Sequence, residues 1–149
     1  MIPSKSTRYA LYAAIEMAAA PEDAQVTAAQ VAERYRIPAT VLAKVFQQLV
    51  RAGLAVGTRG TGGGYQLARS ASDLTMLDVI EVFQPSRPVG DCMLRESRGE
   101  PCPDARACRL RTVFDEVDEQ LRSTFASITL ETLACGGRML PLEALGAGR

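Results

Sequence analysis

Histidine is absent from all 149 residues of this chain. That removes every imidazole general base, every Ser/His or Cys/His nucleophile pair and every imidazole metal ligand. A phosphate-cradling Gly-x-x-x-x-Gly-Lys signature is missing as well, and with both gone the chain is not expected to be an enzyme. No apolar run approaches the roughly 18 residues that a bilayer span needs. The start, Met1-Ile2-Pro3-Ser4-Lys5, lacks the charged-then-apolar layout of a secretory signal. A cytoplasmic protein with no membrane partner is therefore expected. In that compartment thiols stay reduced, and clustered cysteines more often bind metal or react than form structural bridges.

What is present points to a globular regulator. Apolar residues make up 47% of the chain, enough for a packed core, and the length suits one domain plus an extension. The zero net charge hides an asymmetry. Residues 1–70 hold eight cations and four anions, +4, which leaves −4 for the rest of a chain with 17 of each sign. A basic N-terminal half joined to an acidic C-terminal half suits a nucleic-acid-binding unit tied to a regulatory one.

Helix signals come in order. Ser4 caps a first helix to about Ala20, with Tyr9, Leu11, Tyr12, Ile15 and Ala19 as its apolar stripe. Pro21 breaks it, and Thr27 caps a short helix over 28–36 with Val31 and Ala32 inward. Ile37-Pro38 turns the chain into a third helix over 39–52, which Gly53 ends. A short helix, a tight turn and a second helix form a helix-turn-helix. The third helix puts Val41, Leu42, Val45, Phe46, Leu49 and Val50 toward a core. Thr40, Ala43, Lys44, Gln47, Gln48 and Arg51 lie on its other face. That outer face holds small or hydrogen-bonding side chains and two cations but no carboxylate, as a helix entering a major groove requires; an ordinary solvated face would read similarly.

The next stretch is a hairpin: strand 54–57, the tip Thr58-Arg59-Gly60-Thr61-Gly62-Gly63-Gly64, and the returning strand 65–68. A hairpin directly after a recognition-type helix is a wing, and Arg59 at its tip can reach a minor groove. A fourth helix runs from Met76 to Phe83, with Thr75 and Asp78 at capping-box spacing. Pro85, Pro88 and Gly90 then open a loop to about Ala105, longer than compact domains usually carry. A long helix over 106–127 follows, with Leu110, Val113, Phe114, Val117, Leu121, Phe125 and Ile128 recurring at three- and four-residue steps. Its stripe outruns what the small winged unit can cover, which predicts a homodimer across it. Thr129 caps a last short helix over 130–134, and residues beyond 136 read as a frayed tail.

The fold expected is mainly α with a small β-hairpin wing: a winged helix-turn-helix domain plus a long dimerisation helix. The divisions expected are 1–84 for DNA binding, 85–105 for a cysteine-bearing loop, 106–135 for dimerisation and the short C-terminal helix, and 136–149 for the tail.

Three cysteines, Cys92, Cys102 and Cys108, sit in the loop and its exit, with nine residues between the first two and five between the last two. Structural zinc sites use shorter Cys-x₂₋₄-Cys pairs. A thiol switch joining Cys92 to Cys102, chance surface cysteines, and an iron–sulfur cluster on loop-borne thiolates all remain open on spacing. Arg95, Arg98, Arg106, Arg109 and Arg111 flank the thiols and would offset the negative charge of a thiolate-ligated cluster. Cys135, in the last short helix, reads as a buried inert thiol.

Several stretches together resemble the winged-helix iron–sulfur regulators that include IscR, NsrR and RirA. They are Lys5-x-x-Arg8-Tyr9-Ala10, Leu49-x-x-Ala52-Gly53-Leu54, Arg59-Gly60-x-Gly62-Gly63-Gly64-Tyr65, Leu77-Asp78-Val79-Ile80, the three cysteines, and Ile128-Thr129-Leu130-x-x-Leu133. The resemblance spans about residues 4–134. It implies a homodimer whose long helices cross, an iron–sulfur cluster held by Cys92, Cys102 and Cys108, and recognition of a palindromic double-stranded DNA operator. The DNA contacts it implies are Thr40, Ala43, Lys44, Gln47, Arg59 and Gly60.

Where members of that family place a fourth ligand, this chain has Arg111 in place of a histidine and Arg8 in place of an aspartate lent by the other subunit. The fourth ligand is left open among Asp91, Glu96, Glu100, Asp104, an exogenous thiol and water, with Cys135 a further candidate beside its reading as an inert thiol. The choice between a two-iron and a four-iron cluster is open too. The expected function is a dimeric transcriptional regulator that senses iron, redox state or nitric oxide. The alternatives are a cluster-free thiol-switch regulator and a regulatory subunit that binds an enzyme.

Overall fold

The computed structural model describes residues 3–85 and 108–136. Its elements are α1 (Lys5–Ala19), α2 (Ala28–Tyr35), α3 (Ala39–Arg51), β1 (Ala55–Thr58), β2 (Gly64–Leu67), α4 (Met76–Phe83), α5 (Arg109–Ser127) and α6 (Leu130–Cys135). Local chemistry accounts for the starts of several helices. The Ser4 hydroxyl accepts from the Thr7 N–H at 3.2 Å, satisfying one of the donors a helix start leaves unpaired. Thr27 and Gln30 cap α2 reciprocally, and Thr75 and Asp78 do the same for α4. Gly53, at φ 74°, follows the C-terminus of α3 in the left-handed conformation that spares a Cβ.

α1 is the hub, packed by α2, α3, α4, α6 and β2. Its buried face consists of Thr7, Ala10, Leu11, Ala13, Ala14 and Met17. The expected stripe is thus corrected: of its members only Leu11 is buried, and Tyr12 is 42% exposed. A helix enclosed by several neighbours must let their backbones come close, so its inner surface is alanine and the bulky rings sit at the rim. Leu42, Val45, Phe46 and Leu49 anchor α3 in the same core, with Phe46 fully enclosed. Val50, expected inward, is 38% exposed because it sits at the edge of that face near the end of the helix.

β1 and β2 pair antiparallel from Ala55 opposite Leu67 to Thr58 opposite Gly64. Val26 adds a third line to this wing: its N–H donates to the Tyr65 carbonyl and its carbonyl accepts from the Tyr65 N–H, both at 2.8 Å. The chain after α5 returns to the winged unit. The Met76 N–H donates to the Ile128 carbonyl and the Leu130 N–H to the Leu74 carbonyl, each at 2.8 Å. α6 then packs on α1, with Leu130 in the core, so the helix following the long arm is part of the same hydrophobic unit.

Candidate nucleic-acid interface and thiol site

Two aromatic contacts hold the helix-turn-helix and wing as one body. Phe46 of α3 stacks on Tyr65 of β2 with ring centroids 4.4 Å apart, so the wing is packed directly on α3. Tyr35, at the end of α2, stacks on Tyr12 of α1 at 4.5 Å and donates its hydroxyl to Glu16 at 2.6 Å. Glu16 also pairs with Arg34 at 3.0 Å. Burial, then the hydrogen bond to Glu16 and that carboxylate's charge, push the Tyr35 phenol up to about 12.

α3 displays Thr40, Lys44, Gln47, Gln48 and Arg51 to solvent, with Ala43 half-buried on the flank of that row. Spacings of three, four and seven residues put Thr40, Ala43, Lys44 and Gln47 on one face. Arg59 and Gly60 are exposed at the wing tip. The hairpin closes tightly there: Gly60 has φ 102°, and a Cβ on Gly63 would lie 2.3 Å from the Thr58 carbonyl oxygen, so the blade stays slender. Among the described residues no carboxylate pairs with Lys44, Arg51 or Arg59, which leaves those charges available to an anionic partner.

One cation, counted in the charge balance and placed at the end of the second helix, takes a different position. Arg36 sits in the turn between α2 and α3, exposed and left-handed at φ 53°. Helix-turn-helix turns often contain glycine at such a point, and an arginine there carries no local signal of the conformation.

Of the three cysteines, Cys92 and Cys102 lie outside the described residues, as do Asp91, Glu96, Glu100 and Asp104. Cys108 is half-buried and forms the N-cap of α5, with no side-chain capping bond. No acidic residue occupies the first turn of that helix, where Arg109 and Arg111 stand instead. A thiolate donor at this point fits a soft, anionic, sulfur-ligated group. Among the described residues no three His, Cys, Asp or Glu side chains converge. Arg8 is exposed, and Arg111 pairs with Asp115 at 3.4 Å. Cys135, expected to be buried, is exposed: α6 meets α1 through Leu130 at its start, and the thiol at its far end lies at the surface of the single chain.

α5 leaves the body as an uncovered arm. None of its residues is buried, and Leu110, Val113, Phe114 and Val117 are 48–67% exposed along one side. Its far end is held where Arg122 pairs with Glu81 of α4. No helix among the described residues is long and apolar enough to cross a membrane.

Comparison with known proteins agrees with this geometry. Residues 3–136 match the model of the Rrf2 family, described as an iron-dependent transcriptional regulator. The helix-turn-helix regulator BadM of Rhodopseudomonas palustris is 38% identical over 129 residues, 87% of this chain and 78% of that protein. The transcriptional regulator IscR of Yersinia pestis is 31% identical over 126 residues, 85% of this chain and 74% of its own length. Among solved structures, CymR, the global cysteine regulator of B. subtilis, superposes with a TM-score of 0.65 at 27% identity, covering 93% of this chain and 99% of that one.

Proposed function

This chain belongs to the Rrf2 family, and from that premise we propose that it is a cytoplasmic homodimer that regulates transcription through an iron–sulfur cluster sensing iron, redox state or nitric oxide. That it is a DNA-binding transcriptional regulator rather than an enzyme follows from its family and relatives. The sensing device is the finer reading. The observation that carries it is Cys108, a half-buried thiol at the head of the uncovered arm, with no carboxylate in the first turn of the helix it caps.

Cys92, Cys102 and Cys108 would hold the cluster, with the fourth ligand open. When bound, it supplies a centre whose charge and ligation respond to iron supply, oxidant or nitric oxide. The protein's own part is positional. Leu110, Val113, Phe114 and Val117 bury themselves against the same row of a second copy, each gaining roughly half of the 1.5–3 kcal/mol that burying a fully exposed side chain provides, since about half of each is already covered. The stitch from residues 128–131 to residues 71–76 makes the arm a rigid continuation of the winged unit. The angle at which two arms cross then sets the separation of the two α3 helices. For both to enter one palindrome on one side of the duplex, that separation is about 34 Å. A change at the arm's head therefore alters affinity by changing the spacing, typically by about 1–3 kcal/mol of coupling. Thr40, Ala43, Lys44 and Gln47 serve the major groove, and Arg59 with Gly60 serves the minor groove.

The match to a cysteine regulator favours a second reading, in which the same thiols switch without iron. Purification without air, followed by an absorption spectrum, iron and sulfide counts and operator binding before and after oxidant, separates the two. A coloured protein with iron and sulfide whose DNA affinity changes on bleaching supports the cluster. A colourless, iron-free protein that still responds to oxidant supports the thiol switch.

A further inference from the structure

The outer face of α3 is chemically lopsided. It has no carboxylate to accept from cytosine N4, and its one aliphatic member, Ala43, lies one turn before Gln47. In the major groove a small methyl side chain meets the 5-methyl of thymine, whereas a glutamine amide matches the paired donor and acceptor of adenine. Core contacts leave no doubt about the orientation of this pair. Leu42, Val45, Phe46 and Leu49 are 0–3% exposed on the opposite side, so Ala43 and Gln47 cannot turn inward together. Ala43 sits half-buried on the Phe46 flank, where a longer side chain would hold the helix away from a base edge; alanine lets it approach.

Building on the reading that α3 enters the major groove, we propose that Ala43 and Gln47 make each operator half-site a thymine-and-adenine site. The Ala43 methyl would contact a thymine 5-methyl, and the Gln47 amide would bond an adenine N6/N7 edge. Four helical residues rise about 6 Å, close to two base steps of about 3.4 Å, so the two contacts fall on base pairs about two steps apart. The wing agrees with this composition, since a slender blade ending in exposed Arg59 suits the narrow minor groove of A·T-rich DNA.

The test uses the full chain purified without air and duplexes selected by it from random sequence. Thymine is then replaced by uracil, which removes only the methyl, and adenine by 7-deazaadenine, which removes only N7, one position at a time. We expect one uracil position per half-site to weaken binding about four-fold, the worth of one buried methyl. Ala43→Gly and Ala43→Ser should bind the thymine and uracil duplexes alike. Because this readout is a ratio on one protein, it is insensitive to any loss of helix stability in the variant. One 7-deazaadenine position per half-site should weaken wild-type binding about five-fold or more and leave Gln47→Ala unaffected. If the protein binds a specific duplex tightly but is indifferent to uracil and 7-deazaadenine throughout, the assignment of bases is wrong and the groove reading stands. If no specific duplex is selected, the groove reading itself fails and takes the assignment with it.

Discussion

The Thr7 hydroxyl donates to the Gln84 side-chain oxygen at 2.7 Å, joining residues 77 positions apart. Thr7 has no solvent exposure, and the same oxygen accepts the Ser4 N–H at 2.7 Å while the Ser4 and Thr7 hydroxyls lie 2.8 Å apart. The start of α1 and the end of α4 are thereby fastened together just where the chain departs toward the cysteines. A buried hydroxyl of this kind stabilises only while its partner is present.

Replacing Thr7 by valine should therefore cost about 1–2 kcal/mol, lowering Tm by about 2–4 °C for each kcal/mol in a chain of this size. Thr7→Ser, which keeps the hydroxyl, should lie between the two. Denaturant melts of the three proteins check the order; equal stability of Thr7→Val and wild type would show that the bond contributes nothing.

The uncovered row on α5 gives a sharper expectation. Phe114→Glu places a charge where a second copy would pack, so sedimentation should report a monomer in place of a dimer. Affinity for a full palindrome should fall toward that for a half-site, with the melt of the winged unit unchanged. A Phe114→Glu protein that remains dimeric would move the interface elsewhere.

The cysteines should separate in their effects. Cys108→Ala should abolish the absorption of protein purified without air. Cys135→Ala, at the exposed end of α6, should leave the spectrum and the DNA response as they are. Similar spectra for wild type and Cys108→Ala would remove Cys108 from the ligand set.

Tyr35 predicts a pH effect with a definite sign. Its phenol ionises at about 12 in the folded chain, against 10.0 ordinarily, through burial and the Glu16 contact. The folded state thus holds the proton more tightly. The stabilisation is complete below pH 10 and is lost as pH rises through about 12. Tyrosinate absorbance should show Tyr35 titrating late, and Glu16→Gln should bring it down toward the ordinary range.

Arg36 holds a left-handed conformation that costs a non-glycine residue about 1–2 kcal/mol. Arg36→Gly should raise stability by up to about 1 kcal/mol, the gain being reduced by the greater freedom of glycine in the unfolded chain. Thermal melts in the absence of DNA measure it.

Helix starts and the wing were legible in the residues because their causes are local. Ser4, Thr27, Thr75 and Thr129 each accept from an N–H three residues on, and Gly53 stops α3 as its lack of a Cβ permits. The outer face of α3 was legible for the same reason: a helix buried on one side carries its period openly in Leu42, Val45, Phe46 and Leu49. Cys92 and Cys102 were legible as candidates by type and spacing, and they lie outside the described residues.

Other features depended on which elements meet. The inner face of α1 is a stripe of mostly small residues, Thr7, Ala10, Ala13 and Ala14 beside Leu11 and Met17, and its alanines went unrecognised beside the bulkier Tyr9, Tyr12 and Ile15. The addition of Val26 to the wing, the return of Leu130 to the core and the bond from Thr7 to Gln84 join residues far apart in the chain. Periodicity records how one segment repeats, whereas these contacts depend on the company each segment keeps once the chain has collapsed. The bare side of α5 combines both: its spacing was written in the residues, and its exposure was settled only by how the other described elements packed without covering it.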